Sequence, residues 1–333
     1  MTATGGFFIQ GRVGVKGNFH VVVPRFGGQL LVLTRDNDKS TLPWSQDGMF
    51  GTGSFIGASL LQSDFGTGGG NFEVGAIQGN QLLHFWRSDT LPFTWSGPTT
   101  IGAGVTGSPS LVQSNFGSRS NFELVAPLAT GGLGHWWRDN DTAGLPWHGP
   151  TVFGQSVGQV QGAKLIQSTY GAPGNLEVVA VAGSGNAASL VHFWRDNTGW
   201  HGPTAIPLPG PATLPPIGQP GFIQAANGDF HVVVSRGHSF TEMRRDNNTA
   251  SPAWGGAIDF PTFPTPSNYF QVGLIQSNFG PSAAGNLEVV ARSSGAGPGV
   301  MQAHHFLILK LLISRLHQTV NQIFHEDILQ HKG

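Results

Sequence analysis

Residues 110–150 read SLVQSNFGSRSNFELVAPLATGGLGHWWRDNDTAGLPWHGP, and the way this stretch divides decides the fold. It holds four short apolar segments: Leu111-Val112-Gln113, Phe122-Glu123-Leu124, His135-Trp136-Trp137-Arg138, and one that opens at Trp147 just before Gly149-Pro150. Clusters of Gly, Asn, Asp, Ser and Pro separate them, which is the pattern of short strands joined by turns.

The same division recurs on both sides of the stretch. The unit Asn-(Phe/Leu)-Glu-(Val/Leu) starts at Asn71, Asn121, Asn175 and Asn286, and variants with His for Glu start at Asn18 and Asp229. The steps between these six anchors are 53, 50, 54, 54 and 57 residues. An apolar pair followed by Gln precedes the anchors at Gln62, Gln113, Gln167 and Gln276. His84-Phe85-Trp86-Arg87, His135-Trp136-Trp137-Arg138 and His192-Phe193-Trp194-Arg195 follow them. A further Trp closes each unit at Trp95, Trp147 and Trp200, with looser copies at Trp44 and Trp254.

Four strands in a repeat of this length make one blade of a β-propeller. The chain is therefore expected to be all-β, with strands a to d in each blade running from the axis outward. Its segments are apolar on both sides because neighbouring blades cover both faces. Alternating strand direction brings Gln113, Glu123, Trp137, Arg138 and Trp147 to one rim, once per blade. In the second repeat Gly79-Asn80 fits a two-residue turn, which sets Glu73 opposite Trp86.

A carboxylate beside an indole in a cleft between blades suits a sugar, whose C–H face stacks on the ring while its hydroxyls bond the acid. The candidate sugar-binding residues are Glu73, Trp86 and Arg87, Glu123, Trp137 and Arg138, Glu177, Trp194 and Arg195, and the outer Trp95, Trp147 and Trp200. A second account is structural: each Glu bonds its own blade's Arg, and each Trp packs between blades.

Composition narrows the partners. Only 11% of residues are charged and the net charge is −1, so the basic field that a nucleic-acid binder needs is missing. Polar, uncharged partners fit better, and glycans on proteins or lipids are the commonest of these. The chain has no cysteine, which excludes disulfides and thiolate metal sites. Met1 to Val15 carries no basic region followed by an apolar run, so the expectation is cytoplasmic residence or release without a classical signal peptide. No transmembrane segment is expected.

No His–carboxylate–Ser grouping stands outside the repeat and no Gly-rich phosphate loop is present, so neither catalysis nor a cofactor is expected. His84, His135 and His192 recur with the blade and read as satisfied core or rim residues. Asp36-Asn37-Asp38 and Asp139-Asn140-Asp141 hold part of a calcium-loop pattern but lack its third oxygen ligand and its glycine, which makes them turns.

The repeat occupies residues 1–306. From Met301 to Lys332 there is no Gly, Pro or Trp. His305-Phe306 matches His192-Phe193, but Leu307-Ile308-Leu309 follows where Trp-Arg-Asp is due. Leu309, Leu312, Leu316, Val320, Ile323 and Phe324 fall at helical spacing, so residues 307–333 are expected to be a helical tail outside the repeat. Such a tail is either a frameshift product or an amphipathic helix for a membrane or partner, and it leaves five full repeats and a broken sixth.

The units Gln-Ser-Asn-Phe-Gly, Asn-Phe-Glu-Leu-Val and His-Phe-Trp-Arg-Asp-Asn resemble those of the PLL-like seven-bladed propeller lectins, the Photorhabdus-type fucose-binding lectins. The resemblance covers residues 5 to 306. It implies seven blades, clefts between adjacent blades that bind L-fucose or related and O-methylated sugars, no catalysis, and an oligomer as one expected assembly. The competing class is an integrin-like or other scaffold propeller that binds protein.

Overall fold

A computed structural model describes residues 3–25, 28–66, 68–210, 214–237, 239–260, 269–279, 285–293, 305–311 and 320–327. The chain is an all-β propeller. A short strand β1 (Ala3–Thr4) precedes the blades. Blade 1 comprises β2 (Phe8–Gln10), β3 (Phe19–Arg25), β4 (Gln29–Arg35) and β5 (Trp44–Phe50). Blade 2 comprises β6 (Phe55–Gln62), β7 (Phe72–Gln78), β8 (Gln81–Arg87) and β9 (Trp95–Ala103). Blade 3 follows with β10 (Ser110–Gln113), β11 (Phe122–Pro127), β12 (Leu133–Arg138) and β13 (Trp147–Phe153). Blade 4 has β14 (Val160–Gln167), β15 (Leu176–Ala182), β16 (Ser189–Asp196) and β17 (Gly199–Ile206). Blade 5 has β18 (Ile217–Gln224), β19 (Phe230–Arg236), β20 (Ser239–Arg245) and β21 (Trp254–Phe260). A sixth unit is made of β22 (Tyr269–Gln276), β23 (Leu287–Ser293), β24 (His305–Leu311) and β25 (Val320–Asp327).

Every blade is an antiparallel meander in chain order, as the four-segment repeat predicts. The turn at Gly79-Asn80 joins Gln78 to its partner Gln81, and Glu73 stands opposite Trp86. The outer motif Trp-x-Gly-Pro has a local cause. Register shifts by a bulge between His84 and Trp86, between His135 and Trp137, and between His192 and Trp194. Gly97 sits in that bulge at φ 109°, where a Cβ would lie 2.8 Å from the His84 carbonyl oxygen, so only glycine fits.

The apolar cores lie at the seams between blades. One joins Leu61 and Leu82 of blade 2 to Phe122 and Trp136 of blade 3, and another joins Ile166 and Val179 of blade 4 to Phe222 and Phe230 of blade 5. Each fully buried side chain of this size contributes about 1.5–3 kcal/mol. A third core takes in Ile275 and Val290 of blade 6 together with Phe8 and Val21 of blade 1. The ring therefore closes from the sixth unit directly onto the first.

The Gln of each inner strand draws this closure as a girdle. The Oε1 atoms of Gln62, Gln113, Gln167, Gln224 and Gln276 accept from the backbone N–H of Arg12, Asp64, Asn115, Thr169 and Ala226, at 2.6, 2.8, 2.7, 2.8 and 2.7 Å. Gln10 completes the circle by accepting from Asn278 N–H at 3.0 Å. The seven blades implied by the family resemblance are thus corrected to a ring of six, because the sixth Gln finds its partner on the first blade. Inside the girdle lies a cavity of about 1060 Å³ lined by Ile9, Ile166, Ile223 and Ile275.

Gln113 also donates to Ser120 O at 3.2 Å. Gln113→Ala strands a backbone N–H at the seam, so a loss of about 1–3 kcal/mol is expected, read as a lower urea midpoint. An unchanged midpoint would show that the girdle is incidental to closure.

The Lys164 side chain is buried with no hydrogen-bond partner for Nζ among the described residues, and burial pulls its pKa down to about 7. A Cβ at Gly6 would lie 3.3 Å from that Nζ, so the glycine leaves the amine room.

The expected helical tail is corrected. His305–Leu311 and Val320–Asp327 are strands, and they stand where the outer half of a sixth blade belongs. The remainder of 307–333 lies outside the described residues. β24 pairs with β23 from Leu287↔Leu311 to Arg292↔Phe306, so the edge expected to be bare is covered. A lone β23 would present unpaired backbone groups, and the pairing with β24 satisfies them. That demand outweighs the helical spacing. In this register Ile308 faces Val290, the place His192 takes opposite Val179, so the match of His305 to His192 is displaced by three residues.

Candidate functional site

The acid of each repeat is held by its own blade. Glu73, Glu123 and Glu177 are buried on the second strands of blades 2 to 4. Ser63, Ser114 and Ser168, just past the first strands, donate Oγ–H to Oε1 at 3.1, 3.1 and 2.9 Å. His84, His135 and His192, on the third strands, meet Oε2 at 2.8, 2.7 and 2.8 Å. Blade 5 exchanges the partners, with His231 on β19 and Glu242 on β20 at 2.6 Å. A buried carboxylate requires partners, and here they come from strands a and c, so the trio ties three strands together. The structural account of the repeat expected Arg of the same blade in this place; the partner is His.

Opposite each acid stands an indole. Glu73↔Trp86, Glu123↔Trp137 and Glu177↔Trp194 are Cα partners. Trp86 is 39% exposed, while Trp137 and Trp194 are half-buried. His148 stacks on Trp137 at 4.3 Å and His201 on Trp194 at 5.3 Å. In blades 1 and 5 the same position holds Thr34 and Arg244, so the indole is confined to blades 2 to 4 among the described residues.

The arginines do not join their own blade's pair. Trp137 and Arg138 are adjacent in a strand and point to opposite faces. Arg138 therefore faces blade 2, with Nη1 3.9 Å from Oε2 of Glu73. Burial draws its pKa down to about 10, against the pull of Glu73. Arg87 likewise crosses to blade 1 and donates to the Asp47 carbonyl at 3.1 Å and its carboxylate at 3.2 Å. The expected Glu–Trp–Arg cluster is real in composition but is assembled across a seam: Glu73 and Trp86 with Arg138, Glu123 and Trp137 with Arg195.

The outer tryptophans take packing positions. Trp95 stacks on Phe50 at 3.7 Å, and Trp200 stacks on Phe153 at 3.8 Å. Trp147 meets His84 of blade 2 edge-on at 5.5 Å, and Trp200 meets His135 of blade 3 at 5.4 Å. Each is a wedge between its own blade and the one before. Gln113, expected on the same rim, is engaged in the girdle.

Between blades 3 and 4 these elements leave an open cleft of about 390 Å³. Asn121, Glu123, His135 and Trp137 line one wall, and Asn175, Arg195 and Asn197 line the other. Asn121 was not among the expected residues, although it heads every Asn-x-Glu unit; its Oδ1 accepts from Asn140 N–H at 3.0 Å and positions the c–d loop. That loop's acid, Asp141, is exposed but engaged by the a–b loop. Hydrogen bonds from Ser118 and from the backbone of Ser118 and Arg119 hold the Asp141 carboxyl below its usual range. Among the described residues no group of His, Cys, Asp and Glu is arranged to hold a metal ion. No helix there is long and apolar enough to cross a membrane.

No protein-family model and no curated protein sequence matches the chain. Solved structures with a related arrangement include the NanB sialidase from Streptococcus pneumoniae bound to 2-[(3-chlorobenzyl)ammonio]ethanesulfonate. It is 10% identical with a TM-score of 0.41, over 99% of this chain and 78% of that one. A point mutant of the same enzyme matches at 11% identity and a TM-score of 0.41, over 97% of this chain and 62% of the other. Likeness at that level carries no inference about activity, and the fold rests on the strand topology itself.

Proposed function

We propose that the protein is a multivalent lectin that binds sugars in the clefts carrying Trp86, Trp137 and Trp194, without catalysis. The observation that carries this reading is the cleft between blades 3 and 4. A half-buried indole stands there beside three asparagine amides and a guanidinium. Its 390 Å³ is at the small end of the roughly 300–1,000 Å³ of small-molecule sites. The Ser–Glu–His trio fixes the wall and leaves the carboxylate no idle oxygen, since Oε1 is tied to the serine and Oε2 to the imidazole. Repetition of that trio in several blades favours support over chemistry.

The resemblance of the repeat units to PLL-like lectins points to L-fucose and related or O-methylated neutral sugars. The partners would be glycans on glycoproteins or glycolipids. Several weak sites on one rigid ring gain about 10²-fold in avidity on a glycosylated surface, and more if the chain forms oligomers.

Titration calorimetry against a neutral monosaccharide panel, fucose first, tests this, with expected Kd values of about 10⁻⁶–10⁻³ M, or roughly −8 to −4 kcal/mol. Trp137→Ala is expected to lower the stoichiometry by one site while the clefts at Trp86 and Trp194 keep their affinity. Absence of heat with every sugar in a broad panel would end the lectin reading.

A further inference from the structure

We infer that the cleft between blades 3 and 4 prefers a sugar bearing a carboxylate, a uronic acid, and that Arg195 is the residue that reads it. This rests on the lectin reading and assigns one of its clefts a separate ligand class. The observation is a difference among equivalent arginines. At the end of the third strand, Arg35, Arg138 and Arg245 donate Nε–H to the Asn two residues on, at 2.7, 2.7 and 2.6 Å. Those asparagines are bolted down in turn: Asn37 Nδ2 to Gly17 O at 2.6 Å, Asn140 Nδ2 to Ser120 O at 2.6 Å, Asn247 Nδ2 to Gly228 O at 2.8 Å. Arg87 is held by Asp47 instead.

Arg195 has the Asn at the right spacing, Asn197, but not the loop that places it. From the arginine to the outer Trp is nine residues in blades 1, 3 and 5 (Arg35 to Trp44, Arg138 to Trp147, Arg245 to Trp254) and five in blade 4 (Arg195 to Trp200). The shorter connection is a tight turn in which Asp196 pairs with Gly199. Asn197 is left exposed at its tip. The Arg195 side chain makes no hydrogen bond or ion pair among the described residues; its guanidinium lies 5.7 Å from the Phe116 ring and lines the cleft.

The carboxylates around it are already taken. Glu123 is bound by Ser114 and His135. Asp196 accepts from Thr198 Oγ1 at 2.6 Å and contacts His201 Nε2 at 2.9 Å, and these bonds hold its carboxyl well below the usual range. A half-buried guanidinium whose donors lack partners is matched by a carboxylate, which accepts two parallel N–H···O bonds, far better than by a hydroxyl. Trp137 offers the stacking face for the ring that carries that acid.

Titration calorimetry of the full chain with the methyl glycosides of galacturonic and glucuronic acid, beside methyl galactoside and methyl glucoside, tests the assignment. The expected result is one uronate site per chain, binding its uronate about tenfold or more tighter than the neutral counterpart, with the preference weakening as salt rises. Arg195→Gln should erase the preference and leave the melting temperature within about 1 °C, since no hydrogen bond or ion pair of the side chain is lost and the contact with Phe116 is a distant one. Grafting the Asp139–Pro146 loop between Arg195 and Trp200 should also erase it, by locking the arginine to an asparagine. A wild-type chain that binds neutral sugars but shows no uronate preference overturns this inference and leaves the lectin reading standing. An Arg195→Gln chain that keeps the preference overturns it too. No heat with any sugar overturns both.

Discussion

Glu123→Ala is expected to cost the chain about 2–6 kcal/mol, because it strands two buried polar groups at about 1–3 kcal/mol each. The substitution leaves His135 Nε2 and the Ser114 hydroxyl facing each other across a hole in a buried site. Neither group can turn to water, because Ser114 and His135 are both almost fully buried. Glu123→Gln keeps the volume and one acceptor and should cost about 1–3 kcal/mol, the range for one unsatisfied buried group. Urea unfolding of the two variants beside the wild type measures the difference. The contrast also separates two roles for the acid. If Glu123 served mainly as a ligand contact, Ala would weaken sugar binding at one cleft and leave the unfolding midpoint where it was.

That a strand-b carboxylate belongs to the blade's interior was open in the sequence, and the reason is instructive. Period, strand order and register were all legible, because each is a local matter of spacing. Gly79-Asn80 fixed the hairpin, and the hairpin fixed Glu73 opposite Trp86. Strand alternation also separates neighbours: with Trp137 toward one seam, Arg138 must go to the other. The girdle could not be read in the same way. Gln10 and Gln276 each fit the repeat, but their meeting depends on how many blades close the ring, which no local spacing states. The release of Arg195 is an intermediate case. Its short loop is visible as a gap in the alignment of Arg to Trp, yet its meaning depends on knowing that Asn140 elsewhere holds the equivalent arginine.

The tail carries the last test, because its strands change what its removal should do. Deleting residues 305–333 takes away β24, whose register with β23 runs from Leu287↔Leu311 to Arg292↔Phe306. Each backbone hydrogen bond lost along that ladder is worth about 0.5–1.5 kcal/mol net. The deletion also uncovers a strand that serves two seams. Leu287, Val289 and Ala291 belong to the core shared with blade 5, and Val290 belongs to the core shared with blade 1. A bare edge of such apolar character is a template for another copy of the chain. The truncated protein is therefore expected to melt about 5 °C or more below the full chain, and at a given concentration to run as larger species in size-exclusion chromatography with light scattering. Sugar binding at Trp86, Trp137 and Trp194 should persist in whatever fraction stays monomeric, since those clefts lie two or more seams from the β23 edge or on the far side of blade 5. A truncated chain that is monodisperse and melts with the full one would mean that five blades and an inner hairpin close the ring unaided, and that β24 and β25 add nothing to it.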